Sequence, residues 1–376
     1  MATNMTNTSE EKEEYRILAI NVGSTSTKIA VFANENCVVK KTINYTTETL
    51  SKFMDSMEQL DMRIQDVETA LTEEGIPLNS FDIVVSRGGR LPSHNTGAYE
   101  VNDIMIHYLR NVKNALHPAS SGAFIAQYFA DNSHCKAIIY DGPRSDELYP
   151  EAHVTGLSGI YRLTGVHVLN GRACCIRYAE SVGKRMDELN LIVIHLGGGI
   201  SLTAFEKGRM VDALNDMESA LSPERVGPIT SEQVLDYYDT SEYTLKEMVK
   251  KIRGKGGMVD LLGTNDVREV ERRIAAGDQK AAIVHKAMCY QSAKGIGSMA
   301  AALRFHVDGV IITGSIARSE LAVNTIRGYI DALAPVAVYP GEFEMEALAG
   351  GALRVLLGKE EAQCFSKELS EYQFSI

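Results

Sequence analysis

Three short turns rich in Gly, Ser and Thr carry the residue types in this chain that are best suited to chemistry. The first turn holds Gly23, Ser24, Thr25, Ser26 and Lys28, the second holds Gly197, Gly198 and Gly199, and the third holds Gly314 and Ser315. Small residues let backbone N–H groups approach phosphate oxygens, and hydroxyl groups add donors. One such turn is explained as a tight hairpin, whereas three favour a nucleotide phosphate site. Their spacing fits neither a P-loop nor a G-x-G-x-x-G fingerprint.

Acidic residues stand at two further places with a chemical use. Asp141 follows the apolar run at 137–140 and precedes Gly-Pro, which suits either a turn cap or water-mediated Mg²⁺ binding. Glu342, Glu344 and Glu346 open a predicted helix, where complementarity to the helix dipole accounts for most of them. The residues alone leave both interpretations open.

Cationic residues also follow apolar runs. Arg87 stands directly after a predicted strand and before two glycines, at the edge where open α/β sheets bind ligands. Arg225 lies on a loop stiffened by Pro and Gly, and its planar fork suits phosphate or carboxylate. A surface ion pair is the simpler interpretation for each, and the one we adopt for Arg90. His117 is expected at a helix end, and no Ser-His-Asp or Cys-His order indicates a hydrolase.

The elements that must position these residues alternate between strands and helices. The first half contains predicted strands at 17–20, 28–32, 81–85 and 137–140 and predicted helices at 55–74, 101–115 and 121–129. The second half contains predicted strands within 191–205 and at 309–313 and 335–339, and predicted helices at 281–303, from Glu320, and at 344–357. This alternation is typical of α/β domains. The polar tail beyond Gly358 is expected to pack as a last helix.

The pattern of strand, glycine turn and strand occurs twice. Placing Ala19 over Val193 also pairs Ile20 with Ile194, Asn21 with His195, Gly23 with Gly197 and Ala30 with Ala204. The shared arrangement predicts two similar domains, each presenting a glycine hairpin.

Length and composition narrow the class of protein. A chain of 376 residues favours two domains. A net charge of −11 argues against non-specific nucleic-acid binding and gives no reason to expect a membrane surface. The six cysteines show no metal-binding spacing, and the polar start does not resemble a signal peptide. We therefore expect a cytoplasmic protein with a disordered tail at residues 1–14.

Taken together, these motifs resemble the acetate kinase family, within the superfamily of actin, Hsp70 and sugar kinases. The motifs are Asn21-Val-Gly-Ser-Thr-Ser-Thr-Lys28, Val85-Ser-Arg-Gly-Gly-Arg90, His117-Pro118, Tyr140-Asp141, His195-Leu-Gly-Gly-Gly-Ile-Ser201 and Gly341-Glu-Phe-Glu-Met-Glu-Ala347. The resemblance covers about residues 15–357. It implies a duplicated two-domain, ribonuclease-H-like (actin-like ATPase) α/β fold with nucleotide in the cleft. The expected domains are 15–150 with about 358–376, and a nucleotide-binding domain at 151–357.

The resemblance also implies roles for individual residues. Asn21, Asp141 and Glu344 match positions that organise Mg²⁺ and the transferred phosphoryl group, with Glu342 as the alternative to Glu344. Arg225 matches an arginine that steadies the phosphoryl group. His117 matches a phosphate-binding histidine. The remaining matches are nucleotide-binding residues: His195, Gly197, Gly198, Gly199 and Gly314.

Two departures separate the chain from acetate kinases. Val84 stands where those enzymes have an arginine, and Arg87 stands where they have a histidine. Asn170 also replaces a histidine thought to donate a hydrogen bond to the transition state. Both departures resemble the branch that acts on butyrate, and Ser86 in place of a valine leaves space for a four-carbon acid. Propionate, isobutyrate and isovalerate remain alternatives.

The expected reaction is reversible, Mg²⁺-dependent phosphoryl transfer between ATP and a short-chain carboxylate, giving ADP and an acyl phosphate. The resemblance implies use in the ATP-forming direction by a homo-oligomer, with small molecules as partners. Two other functions stay open: a sugar kinase, in which Asp141 would be the general base, and an actin-like or chaperone-like ATPase.

Overall fold

Twelve strands and fourteen α-helices are defined in the computed structural model, which describes residues 12–111, 117–372 and 374. The strands are β1 (Arg16–Val22), β2 (Ser26–Ala33), β3 (Asn36–Asn44), β4 (Ile83–Ser86), β5 (Ala98–Glu100), β6 (Lys136–Tyr140), β7 (Asn190–Leu196), β8 (Ile200–Glu206), β9 (Arg209–Leu214), β10 (Gly309–Gly314), β11 (Val336–Pro340) and β12 (Gln363–Cys364). Most of the predicted tail at 1–14 and residues 112–116 of the predicted helix 101–115 lie outside the described residues.

The helices follow the strands in both halves of the chain. They are α1 (Thr47–Leu50), α2 (Leu60–Glu73), α3 (Asp103–Asn111), α4 (Ser121–Ser133), α5 (Pro150–His153), α6 (Val168–Ser181), α7 (Ser231–Asp239), α8 (Leu245–Gly254), α9 (Met258–Leu262), α10 (Val267–Ala275), α11 (Gln279–Ala302), α12 (Glu320–Ile330), α13 (Glu344–Leu356) and α14 (Lys367–Glu371).

The predicted duplication is visible in the strand order of the two sheets. The first sheet runs β12-β5-β6-β4-β1-β2-β3, and the second runs β11-β10-β7-β8-β9. In each, a central strand pairs antiparallel with its successor on one side and parallel with a later strand on the other. Register shifts fall between Val31 and Phe32 and between Ala204 and Phe205, one position apart once the two hairpins are aligned. The predicted duplicated α/β architecture is therefore confirmed.

Each sheet has its own apolar core. The first core is built from alternate residues of β1 and β2 together with α2 and α4, and Leu18, Ile20 and Phe129 are fully buried in it. The second is built from β7, β8, β10 and the long helix α11, with Ile194 and Ile312 fully buried. Burial of both faces explains why the parallel strands are continuous apolar runs.

The chain divides into two compact units. Among the described residues, unit 1 comprises those within 1–91, 97–140 and 345–370, and unit 2 comprises those within 92–96, 141–344 and 371–376. These boundaries lie earlier in the chain than the expected ones at 150 and 357. Helix α13 belongs to unit 1 because Gly351 lets it pack on Tyr140, to whose ring a Cβ there would come within 2.6 Å.

Three local expectations differ from the structure. Helix α2 begins at Leu60 rather than at 55, because the Asp55 carboxylate accepts the N–H groups of Met57 and Glu58 in a preceding turn. Beyond Gly358 the chain forms β12 and the short α14 instead of one helix. Helices α7–α10 were not predicted, although Thr230 and Thr244 open α7 and α8 with capping boxes.

Candidate active site

The second glycine turn joins β7 to β8 and is covered by two acidic side chains. A Cβ on Gly199 would lie 2.8 Å from the Cβ of Asp216, and one on Gly198 would lie 3.2 Å from Glu224 Oε2. The hydroxyl group of Ser222 donates to the Gly198 carbonyl at 2.6 Å, so the loop that follows β9 is fastened to the turn. The glycines are needed here because neighbouring groups approach the backbone closely.

The third turn lies beside the second. Strand β10 runs parallel to β7, with Thr313 opposite His195. Gly314 has a φ of +92°, and a Cβ on it would lie 2.3 Å from the Leu196 carbonyl oxygen. Only glycine fits this approach and this conformation. The structure thus brings two of the three predicted turns together within unit 2.

A pocket of about 670 Å³ opens from these two turns. Its lining combines residues of both turns, the loop before α10, α10 itself and the segment before α12: Gly197, Gly198, Pro223, Glu224, Asn265, Asp266, Val267, Arg268, Glu271, Ser315, Ile316, Arg318 and Ser319. The volume is in the range of small-molecule sites, and the lining mixes apolar with polar groups. Sequence reasoning missed the Asp266 and Arg268 wall because no helix was predicted there.

Asn170 holds His195 in one orientation. The Asn170 Nδ2 group donates to His195 Nδ1 at 3.2 Å and to Thr313 Oγ1 at 3.1 Å, and Oδ1 accepts the Phe343 N–H at 2.9 Å. Since Nδ1 of His195 accepts, the ring carries its proton on Nε2, which lies 3.8 Å from Glu342 Oε1. Both amide protons of Asn170 are therefore used inside the protein.

Arg225 is anchored at the same turn. Its Nε donates to Asp216 Oδ2 at 2.8 Å, and Nη1 donates to the Glu224 carbonyl at 3.3 Å. Its backbone N–H donates to Ser222 Oγ at 3.1 Å. Ser222 therefore holds the backbone of Arg225, and Asp216 and Glu224 hold its guanidinium next to Gly198 and Gly199.

Asp141 is buried and forms an ion pair with Arg172. Arg172 Nη1 lies 3.4 and 3.3 Å from the two carboxylate oxygens. Asp141 has a φ of +44°, a left-handed conformation that Asp tolerates better than most residues and that recurs at functional sites. Arg172 comes from helix α6, so this pairing was not visible from the sequence around Asp141.

The three glutamates around the start of α13 have different surroundings. Glu342 faces His195. Glu344 is half-buried at the first position of α13, and Glu346 pairs with Lys40 at 2.7 Å. Among the described residues, no group of three or more His, Cys, Asp or Glu is arranged to hold a metal ion by itself. In kinases Mg²⁺ needs only one or two carboxylates beside substrate phosphates and water, so the acidic residues present fit that ion.

In unit 1 the first turn joins β1 to β2. Gly23 donates its N–H to the Ser26 carbonyl at 2.8 Å, and Ser24 and Thr25 are exposed. Asn21 is buried at the end of β1, directly across from Lys28 in the register of the hairpin. The turn thus presents backbone and hydroxyl groups to solvent at the carboxyl end of β1.

Arg87, Arg90 and His117 lie close together beside it, with the two arginine charges acting on the imidazole. Strand β4 pairs parallel with β1, so Arg87 follows β4 at the sheet edge where Asn21 ends β1. Burial lowers the pKa of His117, and the charges of Arg90 and Arg87 lower it further. We expected a surface ion pair for Arg90, and this is wrong as far as the described residues go, since none of their carboxylates lies within ion-pair distance.

Ser86 packs against helix α4. It is buried, and a Cβ on Gly122 would lie 2.3 Å from its Oγ. The volume saved by serine at this position is thus taken up by the close approach of α4. This packing therefore gives no support for extra acyl-chain space at Ser86.

The chain matches the sequence profile of the Acetokinase family over residues 144–343. It is also 42% identical, over 93% of its own length and 99% of the relative, to probable butyrate kinase 2 of Caldanaerobacter subterraneus subsp. tengcongensis. The chain belongs to the acetokinase (acetate kinase) family. It is therefore a carboxylate kinase, which decides against the sugar-kinase and actin-like ATPase alternatives.

Solved structures agree on the fold. Acetate kinase of Porphyromonas gingivalis matches with a TM-score of 0.75 at 15% identity, covering 91% of this chain and 100% of that one. A propionate kinase from Francisella tularensis matches with a TM-score of 0.70 at 16% identity, covering 90% and 98%. The predicted duplicated two-domain α/β fold is confirmed. None of the helices in the described part of the chain is long and apolar enough to cross a bilayer.

Proposed function

We propose that the protein is a butyrate kinase, which transfers a phosphoryl group reversibly between ATP and butyrate with Mg²⁺ and works chiefly in the ATP-forming direction. The observation that carries this proposal is the 42% identity, nearly end to end, to a relative named as a probable butyrate kinase. Branched or shorter acids such as isobutyrate and propionate are the alternative substrates.

The pocket of unit 2 is the proposed site of the nucleoside. It adjoins Gly197, Gly198 and Ser315, whose backbone groups suit the phosphates of ATP or ADP. Arg268 and Asp266, which are hydrogen-bonded to each other, also line the pocket and suit a base or ribose. The first turn of unit 1, with Ser24, Thr25, Ser26 and Lys28, takes the phosphoryl end.

The proposed chemistry needs no general base, because a carboxylate is already ionised at pH 7. Catalysis then consists of in-line positioning and relief of charge repulsion. Arg225 and Arg87 neutralise the transferred group. His117 binds it as a neutral imidazole, since its pKa is lowered. His195 donates from Nε2, with Asn170 as the residue that orients it.

Mg²⁺ would be held by Asp141 together with Asn21 and Glu344, and when bound it supplies positive charge to the phosphate oxygens. The ion pair with Arg172 holds the Asp141 carboxylate in place. Glu342 remains the alternative to Glu344, and its position facing His195 supports a role in orienting that ring instead.

The test is ATP formation from ADP with butyryl, isobutyryl, propionyl and acetyl phosphate, in wild type and in Arg87→Ala. We expect the highest kcat/KM on butyryl phosphate, with a drop of about 10²-fold or more in the variant. Arg110→Ala, which removes an exposed arginine of the same unit, is the control and keeps wild-type turnover.

Equal kcat/KM on acetyl and butyryl phosphate would overturn the assignment of butyrate as the substrate. The assignment of the protein as an acyl kinase would be retained. In the reverse direction, hydroxylamine traps the acyl phosphate as a hydroxamate, so no hydroxamate from butyrate and ATP would overturn the reaction itself.

The proposal includes a cytoplasmic homo-oligomer. All six cysteines are free thiols, which is the usual state in a reducing compartment. Light scattering of the purified protein gives the number of subunits, and a monomeric mass at micromolar concentration would contradict the oligomer.

A further inference from the structure

Arg63 is a fully buried arginine beneath the first turn, and the roles proposed above do not use it. It lies on α2 with none of its surface exposed. Its Nη1 donates to Thr27 Oγ1 at 2.8 Å, and its Nε and Nη2 both donate to Gln59 Oε1, at 3.2 and 2.9 Å. Its guanidinium carbon lies 4.5 Å from the centre of the Tyr45 ring.

In the described part of the chain, Arg63 has no direct ion pair, although the charge of Asp66 acts on its guanidinium from a greater distance. Within the described ranges, no carboxylate lies within ion-pair distance of its guanidinium. Burial lowers its pKa, yet an arginine keeps its proton in a folded protein. Burying an unpaired charge is costly, and an uncharged side chain could fill the same space. The structure therefore keeps a hydrogen-bonded positive charge behind the first turn.

The same guanidinium also contacts the turn backbone. Its Nη2 lies 3.4 Å from the Ser24 carbonyl oxygen, and its Nη1 lies 3.3 Å from that of Ser26. In a planar trans peptide the N–H points opposite to the C=O. The carbonyl of Ser24 faces Arg63, so the N–H of Thr25 is directed away from it, on the side where the turn is exposed.

We propose that Arg63 is a positioning residue for phosphate binding by the first turn: it holds the carbonyls inward, turns the Thr25 amide outward, and lends the turn a positive charge. The ligand is the phosphate end of a phosphoryl donor or acceptor. The inference rests on the proposed function only in taking this turn as a phosphate site. An arginine on the apolar face of α2, between Leu60 and Val67, is the sequence signal for it.

The test neutralises the charge without removing the arginine. Gln59→Glu places a carboxylate at the oxygen that Arg63 already contacts twice, and Gln65→Glu adds the same charge at an exposed position of the same helix. Calorimetric titration gives the dissociation constants of ATP and adenosine, and urea unfolding gives the stability. We expect the ATP constant of Gln59→Glu to rise about tenfold relative to adenosine, and Gln65→Glu to match wild type.

A purely structural role of Arg63 predicts the opposite combination. Gln59→Glu would then be at least as stable as wild type, with an unchanged ratio of the ATP to the adenosine constant. A ratio within twofold of wild type overturns the proposal, whatever the stability of the variant.

Arg63→Met provides the second measurement, because it removes both the charge and the contacts with the carbonyls. Its ATP-to-adenosine ratio should exceed that of Gln59→Glu, and a smaller ratio contradicts the positioning role. The proposed function is judged separately, on wild-type turnover of butyryl phosphate. If the wild type is active and the ATP-to-adenosine ratio of Gln59→Glu is unchanged, the butyrate kinase proposal is retained and the positioning role of Arg63 is overturned.

Discussion

The two glycine turns of the duplicated fold connect equivalent strands but have different electrostatic surroundings. Each joins a seven-residue central strand to an antiparallel partner and begins with glycine. The first turn has the buried cation Arg63 behind it and exposed Ser24 and Thr25 at its tip. The second has the carboxylates of Asp216 and Glu224 against its glycines.

The difference shows how a duplicated scaffold takes on two tasks. In the first turn the protein itself supplies positive charge and hydroxyl groups. In the second turn, Asp216 and Glu224 form ion pairs with Arg225, and these pairs hold the arginine charge beside the turn. The backbone shape follows from the hairpin, whereas the charge follows from what each unit packs against it.

The largest expected effect is that of replacing Arg225, the arginine held by Asp216 and Glu224. Arg225→Ala removes a cation that Asp216 holds at 2.8 Å, and we expect kcat for ATP formation to fall about 10²- to 10³-fold, the usual result of losing one preorganised charge donor. Arg304→Ala, which breaks an exposed ion pair with Glu206 in the same unit, is the control and should keep wild-type kcat. A loss below about threefold in Arg225→Ala would contradict the assignment of its charge to the site.

Two glycine substitutions, one in each turn, compare the two turns. Gly199→Ala places a Cβ 2.8 Å from Asp216, so the carboxylate and the arginine it holds must move. Gly23→Ala meets nothing closer than 3.5 Å. We expect kcat/KM to fall roughly ten- to hundredfold in the first variant and to change less than about threefold in the second. Equal losses would mean that the acidic cover of the second turn has no special role.

The smallest effect concerns buried histidines, which also differ between the units. His94 in unit 2 is buried, which lowers its pKa to about 4. His117 in unit 1 is only half-buried, and its pKa is also lowered. Because the folded state resists protonation, stability is full above pH 6.5 and is lost as the pH falls toward 4. At pH 5 the expected loss from His94 is about 2 kcal/mol.

Urea unfolding at pH 7 and pH 5 measures this loss, with His94→Gln as the comparison. The variant should lose less stability between the two pH values than wild type. Equal pH dependence in both proteins would show that His94 does not carry the effect.

Much of the fold follows from the sequence pattern because the signals are local. Apolar runs with β-branched residues gave β1, β4, β6, β7 and β10 within a few residues, and three- and four-residue spacing gave α4 and α11. The start of α2 was missed because the Asp55 side chain competes for backbone N–H groups, a contact that periodicity does not show. Helices α7–α10 were also missed: α7 buries none of its residues and α8 buries only Met248, so their apolar faces are short, while α10 buries Val267 and Val270 among many charged residues.

The candidate site was less predictable. The turns, Asp141, Arg225 and His117 could be named from residue type and position alone. Their partners could not: Arg172 beside Asp141, Asp216 beside Arg225 and Arg63 beneath the first turn come from other elements of the chain. The surroundings of Arg90 and Ser86 depend on packing partners, so the expected ion pair of Arg90 was wrong and the expected space at Ser86 gains no support.

The amino-acid sequence by itself determined the family, the duplicated α/β architecture and the places where phosphate-binding turns occur, because glycines and apolar runs act through the local backbone. Only the tertiary structure decided which charges lie behind each turn, how Asn170 fixes the proton of His195, and which close approaches require glycine. Those features depend on side chains far apart in sequence, and electrostatic interaction falls with distance in space, which the order of residues does not reveal.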